Sequence, residues 1–190
     1  MQRYIPLVLI LGLLIGFRLL GSAFPEYLPN FQPLTAIFFC GCLLATGWKG
    51  YAMPLAVWLV TYPFATGPVG DWGIFLTAGI CLSLMYVLGL GFRRFSTMWV
   101  WLGSALAAVL FHTLTCTLAW AIDPMYAKTG LGLWQSLWLG PDIAGALPSW
   151  VFLRNMCAAN LIFTGIILMA NCRMPSLGSA PSVSKQPVLS

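Results

Sequence analysis

The chain is 190 residues long, 60% hydrophobic and only 7% charged, with a formal net charge of +5. A soluble domain carries about a quarter charged residues, so a soluble fold is excluded and the length leaves one membrane domain with little room beside it. The basic residues are spread over several loops and form no stripe, which argues against nucleic acid as a partner.

The apolar pattern predicts an all-α polytopic membrane domain over residues 1–172, with six transmembrane helices at about 4–22, 33–48, 51–66, 72–91, 97–121 and 149–171. The first span follows Arg3 and has the outline of a secretory leader, with Gly21-Ser22-Ala23 as its end. Arg18, between the apolar run and that end, argues against cleavage. A loop with Pro25, Glu26, Pro29 and Asn30 follows, in which Asn30 is the predicted cap of the second helix and Pro33 lies in its first turn. Lys49-Gly50 makes a tight turn into a short third span whose ends are marked by Pro54 and Pro63. Residues 66–71 form the next turn, the fourth span stops at Arg93-Arg94, and the fifth is the longest, ending at Asp123-Pro124. Between residues 122 and 148, Leu131, Leu133, Trp134, Leu137 and Trp138 recur at helical spacing and predict a short amphipathic helix along the outer interface. The tail 173–190 is rich in Ser and Pro, has no apolar period and reads as disordered.

Charge sets the orientation. Arg3, Lys49, Arg93, Arg94, Arg173 and Lys185 fall at alternate ends of the spans, Glu26, Asp71, Asp123 and Asp142 at the other ends, and Lys128 breaks the pattern. Positive charge is retained on the cytoplasmic side, so both termini are expected in the cytoplasm and the protein in the inner (plasma) membrane. Trp72, Trp120, Trp134, Trp138 and Trp150 fall at outer boundaries and Trp48, Trp99 and Trp101 at inner ones, the headgroup level that indole favours; Trp58 is mid-span.

Arg18 and Arg154 lie inside spans, at similar depths of about one to one and a half turns below the outer ends. An arginine at a helix centre costs at least ~2.5–3.5 kcal/mol. Pairing offsets that cost, Arg18 with Glu26 or Asp71 and Arg154 with Asp142 or Asp123. The alternative is an anion clamp, two guanidinium groups gripping a carboxylate or phosphate. His112 and Asn160, near mid-bilayer, are either hydrogen-bonded bundle residues or ligand contacts. Gln32, Thr35, Thr61, Thr77, Thr115 and Asn155 make the outer half the polar one, which suggests a cavity open to the outside.

Other chemistry is poorly supported. A single histidine with no carboxylate cluster makes no metal site, and the six cysteines, mostly in apolar runs, contain no C-x-x-C. Ser104 and His112 are about 12 Å apart in helical rise, too far to pair as nucleophile and base. No enzyme activity and no cofactor are expected. Gly12 and Gly16 form a G-x-x-x-G that is either internal packing or a docking face for another subunit.

The run Pro29-Asn30-Phe31-Gln32-Pro33-Leu34-Thr35-Ala36 resembles the PNFTPxxA signature of an uncharacterised family of bacterial integral membrane proteins. Further matches are Ala119-Trp120, residues 125–133, residues 145–148, Phe152-Leu153-Arg154-Asn155 and Asn160-Leu161. That family is similar to the S components of energy-coupling-factor (ECF) vitamin transporters. The resemblance implies a six-helix substrate-binding subunit with an outward pocket, partnered by a transmembrane coupling protein and ATPase subunits. The chain has no G-x-x-x-x-G-K-[ST] and cannot bind ATP by that route. S components often carry alanines four apart in the first helix for coupling; here Gly12 and Gly16 stand nearest to that place. The expected ligand, a small and anionic vitamin-like molecule, would meet Arg18, Asn30, Gln32, Thr35, His112, Thr115, Trp134, Arg154, Asn155 and Asn160. The competing expectation is a structural or assembly subunit whose arginines pair internally.

Overall fold

In a bilayer each backbone polar group must be satisfied within its own segment, so long apolar runs become helices. The computed structural model describes residues 5–24, 27–45, 47–66 and 72–173, without the side chains of 5–10, 65–66 and 171–173. Arg3, Glu26, Asp71, Lys185 and the tail, with any pairing of Arg18 to Glu26 or Asp71, lie outside the described residues. The elements are α1 (Ile5–Ala23), α2 (Leu34–Leu44), α3 (Lys49–Thr66), α4 (Trp72–Phe92), α5 (Thr97–Ile122), α6 (Gly130–Trp134) running into a π-helical turn (Gln135–Leu139), and α7 (Ser149–Arg173). All regular structure among the described residues is helical. Trp72–Phe92, Thr97–Ile122 and Ser149–Ala170 are long and apolar enough to cross a membrane; Leu11–Ala23 and Leu34–Leu44 are apolar but shorter.

Three expectations about the second and third elements need correction. The second helix is not 33–48 but Leu34–Leu44, because Ala45 turns extended at φ −149° and ψ 153°. Asn30 does not cap it. Pro33 holds the cap position without a side-chain bond, while Asn30 takes a left-handed φ of 60° that asparagine tolerates better than most residues. Pro54 and Pro63 lie inside α3 rather than at its ends. Proline has no N–H to give the carbonyl four residues back, so Pro54 leaves the Gly50 carbonyl without that donor. This carbonyl lies against α2, where a Cβ on Gly41 would stand 2.3 Å from it.

α2 is the centre of the bundle. Nine of its 11 residues, among them Ile37, Phe38, Phe39 and Cys40, are buried, and it packs on α1, α3, α4, α5 and α7. Its approach to α4 is closest at Gly89, where an added Cβ would fall 1.9 Å from the Phe39 carbonyl oxygen. The outward face of α4 presents Ile74, Leu76, Ile80, Leu84 and Val87. Trp58 is buried and stacks on Phe75 at 4.7 Å, whereas Trp48, Trp72, Trp99 and Trp134 are exposed.

Backbone cannot yield as a flexible side chain can, so Gly89→Ala is expected to lower stability by about 1–3 kcal/mol. Gly12→Ala and Gly16→Ala, with nothing within 4 Å of the added carbon, should leave it unchanged. Thermal melting of the three purified variants in detergent checks this.

Candidate functional site

Polar side chains gather at the end of the bundle where α1, α3 and α5 finish and α2, α4 and α7 begin. Arg18, on the last turns of α1, is 3% exposed. Its Nε donates to Thr61 Oγ1 on α3 at 2.5 Å, and its Nη1 donates to Gln32 Oε1 just before α2. Thr61 in turn donates to the Val57 carbonyl at 2.6 Å. Hydrogen bonds to a charged group are worth about 1.5–3 kcal/mol each. Two of them match the ~2.5–3.5 kcal/mol insertion cost of an arginine. Arg18 therefore ties α1 to α3 and to the entry of α2.

Arg154 faces the other way. It is exposed, its guanidinium lies 5.4 Å over the Trp150 ring, and its Nε donates to Asn155 Oδ1 at 3.2 Å. Asn155 is buried and donates Nδ2 to the Pro29 carbonyl at 3.0 Å. Successive residues of a helix diverge by about 100°, so with Asn155 turned in to hold the 29–33 loop, Arg154 turns out. Among the described residues the two arginines share no partner, and Arg154 has neither Asp123 nor Asp142 among its contacts. The structure thus corrects the expectation of a two-arginine clamp over one hollow.

His112, buried in α5, donates Nε2–H to the Leu137 carbonyl at 3.0 Å, and Ser136 Oγ donates to the Cys116 carbonyl at 2.8 Å. These bonds dock the π-helical turn on α5, and Thr129 caps α6 by accepting from the Gly132 N–H at 3.2 Å. Lys128 Nζ donates to the carbonyls of Trp120 and Asp123. A cation is favoured at a helix C-terminus, which explains why Lys128 departs from the charge pattern. Trp134, 57% exposed, lies on the outer face of this segment with Trp138 at 5.5 Å between ring centroids. Asn160 is 0% exposed; its Nδ2 donates to the Ser104 carbonyl at 2.9 Å, pinning α7 to α5, and its Oδ1 has no hydrogen-bond partner. Thr35 is buried in the first turn of α2. Gly12 and Gly16 are exposed on α1.

Of the expected ligand contacts, only Thr115 lines the hollow at this end of α4 and α5. This is a cavity of about 500 Å³ between the ends of α4 and α5, lined by Gly73, Ile74, Thr77 and Ala78, by Thr115, Leu118, Ala119 and Ile122, and by Asp123 and Pro124. Two apolar hollows, about 280 Å³ beside Phe17 and Phe31 and about 350 Å³ between Trp58 and Ile80, also lack both arginines. The sequence pattern points to a cavity at this polar end and to the hydroxyls of Thr77 and Thr115, but to the arginine-bearing first and last spans as its walls; the α4–α5 position depends on small residues between two helices, which leave no signal in an apolar chain.

The chain belongs to the family of unknown function DUF6580, which it matches over residues 1–176. No curated protein matches the chain, and no solved structure does.

Thr61→Val removes a bond from a buried cation, so it should cost about 1.5–3 kcal/mol in the native protein and close to nothing in an Arg18→Met background. A double-mutant cycle on unfolding in detergent reads that coupling, and Arg154→Ala should stay within about 1 kcal/mol as an exposed cation–π contact does. His112→Ala strips the Leu137 carbonyl of its donor. Hydrogen exchange should then accelerate roughly tenfold or more over residues 130–139, for a loss of about 1–3 kcal/mol, and not in the middle of α7.

Proposed function

We propose that the protein is the substrate-binding subunit of a small-molecule uptake transporter in the inner membrane, with α1–α5 and α7 as its six spans, both termini in the cytoplasm and the architecture of an ECF S component. The observation that carries this reading is the α4–α5 cavity. Its volume of about 500 Å³ falls within the ~300–1,000 Å³ of small-molecule sites, and it opens at the end that the charge distribution assigns to the outside. The α6 and π-helical segment, held on α5 by His112 and Ser136, borders that end and lies along the outer interface. Energy for transport comes from ATPase partners through a membrane coupling protein, which meets the exposed Gly12 and Gly16 face of α1.

A second reading, an assembly subunit without transport, is favoured by the internal hydrogen bonds of Arg18, His112 and Asn155. Native mass spectrometry of protein purified from its own membrane separates the two. Transport predicts a retained small-molecule adduct, lost in the cavity-filling Ala78→Trp, and co-purifying ATPases. No adduct, together with an unrelated membrane complex, establishes the assembly role instead.

A further inference from the structure

Asp123 and Thr115 both offer acceptors to the α4–α5 cavity. The Thr115 hydroxyl donates to the Phe111 carbonyl at 2.9 Å, with the His112 carbonyl at 3.1 Å, so its proton is committed within α5 and its oxygen has only lone pairs to give a ligand. Asp123 closes the end of the cavity. Its Oδ1 accepts from the Met125 N–H at 2.9 Å, which fixes the orientation of the carboxylate, and an ionised carboxylate is acceptor-only. No lysine, arginine or histidine lines the cavity among the described residues. Lys128, the nearest cation in sequence, is bonded to the main-chain carbonyls of Trp120 and Asp123. The remaining lining is Gly73, the Thr77 hydroxyl, which can donate or accept, and apolar Ile74, Ala78, Leu118, Ala119, Ile122 and Pro124.

We infer that this cavity binds an apolar small molecule carrying an amine, whose ammonium group donates to the Asp123 carboxylate while its apolar body extends along α5 toward Thr115, about 12 Å away in helical rise. The inference rests on the substrate-binding reading and reverses its ligand charge: the arginines that suggested an anion lie elsewhere, and among the described residues the cavity carries a carboxylate and no basic side chain.

The test uses the full chain in lipid nanodiscs and three probes of one skeleton: phenylpropylamine, phenylpropanol and phenylpropanoate. The amine is expected to bind at least tenfold tighter than the other two. Asp123→Asn, which keeps the acceptor for Met125, should weaken the amine at least tenfold and leave the alcohol unchanged, while Lys128→Met should tighten the amine. Preference for the acid, equal binding of amine and acid, no binding of the amine, or an amine indifferent to Asp123→Asn overturns the inference. If any of these occurs while a native adduct sensitive to Ala78→Trp persists, the ligand class falls and the substrate-binding reading stands. If the adduct is absent as well, both fall.

Discussion

α2 has 11 residues, about 16 Å of helical rise, against a hydrocarbon core of about 30 Å. A helix so short is stable at membrane depth only if other helices enclose it and its entry loop is anchored by protein. The packing of α1, α3, α4, α5 and α7 around it does the first. The second falls to two side chains on opposite sides: Gln32 accepts from Arg18 of α1, and the Pro29 carbonyl accepts from Asn155 of α7. The buried arginine thus has a mechanical role, and the close backbone contact of Gly89 with Phe39 follows from the same enclosure.

Most other intramembrane polar groups serve similar joins. Asn160 holds α7 to α5 through Ser104, and His112 holds the π-helical turn through Leu137. What remains is a cavity whose polar lining is Thr77, Thr115 and Asp123, at one end of the bundle. A stable frame beside a preformed hollow suits the proposed binding role, because the site is formed before the ligand arrives and little ordering cost falls on binding.

Apolar runs with clear stops were legible: residues 72–91, 97–121 and 149–171 agree closely with α4, α5 and α7, and Leu131 to Trp138 was recognisable as a short amphipathic helix. The end of α2 and the start of α3 were not, since the choice at Ala45 and the retention of Pro54 depend on Gly41 and Gly50 meeting across helices. The direction of Arg154 turned on one residue of helical phase, settled by the Asn155 bond to a loop 126 residues away in sequence. The pairing of Arg18 with Thr61 and the cavity itself arise from helix angles, and no local pattern encodes those.

The proposed transport role requires that the α4–α5 cavity hold a ligand in the membrane. An experimental density map of the protein purified from its own membrane, without added ligand, reads this directly. Compact non-protein density against Asp123 and Thr115 is expected. A cavity filled by side chains, or by an acyl chain continuous with the surrounding lipid, would contradict it.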